Sequence, residues 1–80
     1  MISLHNLNFM QNSKKRTVKI DGHITSVFLE EEFWIELKKI SALQNISSDQ
    51  LISKIDHHKS TSNLSSAIRL YVLNHLKNSS

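Results

Sequence analysis

Apolar and polar positions follow two regimes along the chain. From Arg16 to Leu29, RTVKIDGHITSVFL, residues of strand character alternate with polar ones on either side of Asp21-Gly22. That dipeptide readily takes the positive φ angles of a two-residue type I′ turn, so the pattern predicts a β-hairpin. With Asp21 and Gly22 in the turn, Ile20 lies opposite His23, Lys19 opposite Ile24, Val18 opposite Thr25, Thr17 opposite Ser26, Arg16 opposite Val27 and Lys15 opposite Phe28. Side chains alternate between faces of a strand. One face then carries Val18, Ile20, His23, Thr25, Val27 and Leu29 and suits a helical layer; the other carries Lys15, Thr17, Lys19, Ile24, Ser26 and Phe28. Cations, hydroxyls and two apolar groups on one surface suit contact with a polyanion.

Beyond Leu29 the apolar period lengthens to that of a helix. Phe33, Trp34, Leu37, Ile40 and Leu43 recur at three- and four-residue intervals and predict a first helix over Glu30 to Gln44. Ile35 and Ala42, on its opposite side, suggest a second buried surface. Asn45-Ile46-Ser47 breaks the pattern. Asn45 suits a left-handed C-terminal position, Ser47 and Gln50 form a capping box, and Ile46 and Leu51 sit at the two ends of a hydrophobic staple. A second helix is expected from Ser48 to about Lys59, with Leu51, Ile52 and Ile55 inward. After the polar loop Ser60 to Asn63, Ser62 or Asn63 caps a third helix, Leu64 to about Lys77. Leu64, Ala67, Ile68, Tyr71 and Val72 form its stripe, while Leu70, Leu73 and Leu76 spread apolar surface round the rest, which calls for cover on more than one side. Met1 to Ser13 has no sustained period. The organisation expected is a loose arm over 1–13, a folded domain over 14–77 and a tail over 78–80.

Eighty residues make one domain. A chain of this size buries only about 60% of its unfolded surface, so an isolated monomer is expected to be marginal and oligomerisation is the natural remedy. There is no cysteine, which excludes disulfides and thiol chemistry. No apolar run approaches the roughly 20 residues of a membrane span, and the first ten residues lack the order of a signal peptide, so a cytoplasmic location is expected. Three sequons, at Asn45, Asn63 and Asn78, then carry no glycan, and two of them coincide with helix boundaries.

The net charge of +3 is unevenly spread. Lys14, Lys15, Arg16 and Lys19 fall within six residues without an acid, whereas Glu30, Glu31, Glu32 and Glu36 follow the hairpin. Acids at a helix start are favoured by the macrodipole. Clustered cations beside a strand repel one another until a polyanion neutralises them.

No other chemistry is expected. Among the five histidines, His57 and His58 are adjacent and point about 100° apart on a helix, and His23 and His75 have no acid or thiol at ligand spacing, so no metal site is expected. Gly22 is the single glycine, which excludes a phosphate-cradling loop and a glycine-flanked nucleophile turn. No cofactor and no enzymatic activity are expected.

The stretch GHITSVFLEEEFWIELKKISALQNISSDQLI resembles the ribbon-helix-helix family of DNA-binding proteins, the Arc and MetJ type: strand TSVFL, acidic helix start, Asn45 stop, Ser-capped second helix. With RTVKID before it and NLSSAIRLYVLNHL after it, the chain is also similar to a small bacterial subgroup in which GHxTSxxLExxFW and LSSAIR recur. The resemblance covers roughly Lys15 to Lys77. It implies a mainly α fold with a short β-ribbon, carrying an N-terminal hairpin strand and an extra C-terminal helix, as an intertwined homodimer. Thr25 to Leu29 would pair across a two-fold axis, with Thr25, Val27, Leu29, Trp34, Leu37, Ile40 and Ile55 in the dimer interface. The implied function is a DNA-binding repressor, associated with the nucleoid. Its ribbon would enter the major groove, Ile24, Ser26 and Phe28 at the bases, Lys15, Arg16, Thr17 and Lys19 beside them, and Ser47 and Ser48 on a phosphate.

The chain departs from the pattern at two readers. Ile24 and Phe28 offer only apolar contact, for instance to a thymine methyl, where Arg, Lys, Asn or Gln is usual. Either Ser26, Lys19, Thr17 and DNA shape supply the specificity, or the same dimeric fold serves as a protein-interaction or antitoxin-like module. In that second case Phe28, Ile24 and Trp34 are the anchors and Met1 to Ser13 is the candidate toxin-binding arm.

Overall fold

A computed structural model describes residues 13–78. Its elements are β1 (Ser13–Ile20), β2 (His23–Glu30), α1 (Glu31–Leu43), α2 (Ser48–His58) and α3 (Leu64–Asn78). The arm expected over Met1 to Ser13 lies outside the described residues except for Ser13, which begins β1.

β1 and β2 form an antiparallel hairpin with the register expected from the turn, from Ile20↔His23 to Lys15↔Phe28, and it continues to Ser13↔Glu30. Asp21 (φ 51°) and Gly22 (φ 83°) both lie in the left-handed region, as a type I′ turn requires. His57 Nε2 lies 2.9 Å from Asp21 Oδ2 and ties this tip to the end of α2.

Helix boundaries follow local chemistry. α1 ends in a Schellman motif: Asn45 is left-handed (φ 58°), Ile46 N–H donates to Ser41 O at 3.0 Å, and Asn45 N–H donates to Ala42 O at 3.1 Å. Ser47 then opens α2 with both halves of a capping box in place. Asn63 caps α3, its Oδ1 accepting from Ser66 N–H at 3.0 Å.

One core joins all five elements. The apolar hairpin row Val18, Ile20, Val27 and Leu29 is buried with Trp34, Leu37 and Ile40 of α1, Leu51, Ile52 and Ile55 of α2, and Ala67, Ile68 and Val72 of α3. Phe33, Ile46, Leu64 and Tyr71 pack partly buried against it. Two expectations are corrected. Leu43 is 77% exposed, because two successive three-residue steps from Leu37 carry it about 120° off the buried stripe, and Ser41 takes the inner position. Buried there, Ser41 donates its hydroxyl to Lys38 O at 2.8 Å. Ile35 and Ala42 do not form a second buried surface within the chain; both are exposed. Leu70, Leu73 and Leu76 likewise lie at the surface.

Candidate nucleic-acid interface

Each hairpin face has the character that alternation assigns to it. Lys15, Thr17, Lys19, Ile24, Ser26 and Phe28 are all exposed and project from one side of the sheet. Ile24 is 70% and Phe28 56% exposed, although both are large and apolar. Arg16 belongs to the opposite row. Its guanidinium sits 5.1 Å from the centre of the Trp34 ring and donates to Glu31 Oε2 at 3.4 Å. It is therefore held at the rim of the first helix, on the opposite side of the sheet from Lys15 and Lys19. Trp34 is itself anchored by its indole N–H, which donates to Lys14 O at 3.2 Å.

The turn also decides which backbone groups face outward. In a two-residue hairpin the closing pair, Ile20 and His23, exchanges both main-chain bonds, and every second pair does so thereafter. The N–H and C=O groups of Lys15, Thr17 and Lys19 then point away from β2, and those of Ile24, Ser26 and Phe28 point away from β1. Two contacts fit this parity. Lys19 N–H donates to Asp49 Oδ2 at 3.3 Å, so the start of α2 lies along the outer edge of β1. Phe28 C=O accepts from Ser65 Oγ at 2.7 Å, so the start of α3 touches the outer edge of β2 at its C-terminal end. Ile24 and Ser26 have no strand beside them among the described residues.

The N-terminus of α2 brings main-chain donors to the same region. Ser47 N–H is taken by Gln50 Oε1 at 2.8 Å, and Gln50 N–H by Ser47 Oγ at 3.1 Å. The capping box thus satisfies two of the four donors left over at a helix start, and the N–H groups of Ser48 and Asp49 remain open. They border a cleft of about 140 Å³ lined also by Arg16, Thr17, Trp34 and Lys38. The helix start and the cations Arg16 and Lys38 border this cleft together with the Asp49 carboxylate, and Arg16 is already paired with Glu31.

Three groups of residues expected from sequence thus have distinct places. Lys15, Thr17, Lys19, Ile24, Ser26 and Phe28 share the open face. Ser48 keeps its free N–H while Ser47 spends its own on the cap. Val27, Leu29, Trp34, Leu37, Ile40 and Ile55, expected between subunits, are each at most 6% exposed within one chain, and Thr25 is half-buried. Lys38, Asp49 and Arg69 were not anticipated, and Ser65, at a position where a serine ordinarily caps its helix, reaches the strand instead. Lys38 carried a signal, lying on the polar side of the first helix one turn from Trp34; the other three are placed by contacts 30 or more residues apart.

At the end of β2, Arg69 donates from Nε to Glu30 Oε1 at 2.7 Å and from Nη2 to Glu30 Oε2 at 3.1 Å. This fork holds the Glu30 carboxyl below its ordinary pKa, against a smaller opposing effect of burial.

A two-stranded ribbon leading into a helix, a capped turn and a second helix defines the ribbon-helix-helix architecture, here extended by α3. A family model described as a ribbon-helix-helix domain matches residues 13–76, and the chain belongs to that family. Ribbon-helix-helix domains are in general DNA-binding regulators or antitoxins, typically without enzymatic activity. No curated protein and no solved structure matches the chain. No helix among the described residues is long and apolar enough to cross a membrane.

Proposed function

We propose that this chain is a cytoplasmic, homodimeric transcription repressor that lays a β-ribbon in the major groove of duplex DNA. Two copies of β2 pair antiparallel along the part of the outer edge, at Ile24 and Ser26, that α3 does not occupy. Ser26, Thr17 and Lys19 provide polar contacts to bases and backbone, and Ile24 and Phe28 meet thymine methyls. A phosphate lies against the open N–H groups of Ser48 and Asp49, with Lys38 and Arg16 beside it. The exposed face carrying six functional side chains supports this reading most directly: it sets cations and hydroxyls around apolar groups that the chain's own core leaves uncovered.

Selection of bound sequences from random duplex DNA, followed by fluorescence anisotropy across salt concentrations, tests it. Recovery of a pseudo-palindromic site is expected, with affinity falling steeply with salt as counterions are released. Lys19→Glu is expected to weaken binding to every sequence by about tenfold or more. No DNA affinity even at low salt overturns the proposal. A protein-interaction or antitoxin reading is favoured by the exposure of Ile24 and Phe28, since large uncovered apolar groups are typical interface anchors. Under that reading a stoichiometric protein copurifies, and Phe28→Ser releases it while the fold is retained.

A further inference from the structure

Both ends of the reading strand are held differently. At the turn, Ile24 lies opposite Lys19 and has no strand on its outer edge among the described residues. At the other end Phe28 has Lys15 opposite it on one edge and α3 on the other, where Ser65 Oγ donates to its carbonyl at 2.7 Å. Two residues on, Arg69 grips Glu30 with both arms of its guanidinium.

Neither contact serves the local structure of its own helix. A serine in the first turn of a helix ordinarily caps it, yet Asn63 caps α3 and Ser65 is left to reach the strand. Glu30 is the N-cap residue of α1, but its side chain makes no capping bond because Arg69 has it. Local capping is given up on α1, and a hydroxyl is diverted on α3, to tie the same short piece of chain, from Phe28 to Glu30, to a helix 37 to 39 residues away. Both ties act on the side of β2 away from β1 or just beyond it, where pairing with β1 leaves the Phe28 main-chain groups without a strand partner.

We infer that Ser65 and Arg69 are positioning residues for DNA readout: α3 clasps the C-terminal end of β2 and fixes the angle at which Phe28 is presented to the groove. This rests on the DNA-binding reading above. Neither residue touches the nucleic acid; Arg69 is neutralised by Glu30 and contributes no phosphate contact. Sequence discrimination should therefore depend on the clasp, and the electrostatic part of binding should not.

The test uses the full chain and two labelled duplexes, one of the selected sequence and one scrambled at equal length. Ser65→Ala is expected to lower the ratio of their affinities by about three- to tenfold, the scale of one lost hydrogen bond, with the salt slope unchanged and the melting temperature within a few degrees of the parent. Ser65→Thr, which keeps the hydroxyl, is expected to restore the ratio. Arg69→Gln should likewise reduce discrimination and leave the slope as it was. An unchanged ratio in Ser65→Ala overturns the inference, as does a slope reduced by about one in Arg69→Gln, which would make Arg69 a phosphate contact. A parent chain that binds neither duplex overturns the proposed function and this inference with it, whereas a parent that discriminates beside variants that do so equally well overturns the inference alone.

Discussion

Phe28 and Leu29 are neighbours on β2, and they belong to two different surfaces. Leu29 is fully buried among the three helices with Val18, Ile20 and Val27, while Phe28 is 56% exposed on a face shared with Lys15, Thr17, Lys19, Ile24 and Ser26. The inner row is completed by the chain's own helices. Among the described residues the outer row is left uncovered, and so is the Ile24 to Ser26 part of the β2 edge. Interleaving the two sets at a period of two puts a packed row and an exposed row on a single strand, so that only the first answers to packing.

The sharpest way to break this contrast is Leu29→Ala. Loss of a fully buried side chain at the meeting point of hairpin and helices should cost about 2–5 kcal/mol in denaturant unfolding, a large part of the stability of a domain this small. A cost below about 1 kcal/mol would mean that Leu29 is not held in a closed core.

A smaller effect tests the boundary between the rows. The Arg69 fork keeps the Glu30 carboxyl ionised below its ordinary value of 4.5. A carboxyl whose folded pKa is depressed stabilises above the unfolded value, and that stability is lost as pH falls through the folded one. Glu30→Gln should therefore be less stable than the parent by about 1 kcal/mol near neutral pH, with the gap closing in acid below about 4.5. Chemical denaturation at several pH values measures it, and a gap that widens in acid would refute the assignment.

The smallest effect belongs to the outer row. Phe28→Ser should move the unfolding free energy by no more than about 0.5 kcal/mol while changing the preferred DNA sequence or releasing a protein partner. Marked destabilisation would place Phe28 in the fold instead of at the interface.

Much of this architecture was legible beforehand, wherever a local rule applied. Asp21-Gly22 set the hairpin register, because a two-residue turn leaves no freedom to slip. Asn45, Ser47, Gln50 and Asn63 marked the helix ends, since capping is satisfied within a few residues. The reading of α1 failed at Leu43, where counting three-residue steps ignored their cumulative rotation, and at Ile35 and Ala42, where apolar character was taken for burial. Trp34, Leu37, Ile40 and Ile55 are buried as their spacing predicts, and α2, α3 and the hairpin join α1 in one core within the chain.

Alternation, turn chemistry and caps are properties of neighbouring residues, and from them the sequence alone determined the five elements, the two hairpin faces and the six side chains of the open one. Only the tertiary structure decided which backbone edges are covered among the described residues, that Arg16 meets Glu31 and Trp34, and that Ser65 and Arg69 meet Phe28 and Glu30. Such pairings have no period and no spacing rule. They exist because helices joined by short, capped turns have little choice in where they lie against the hairpin, and polar groups brought together there must find partners.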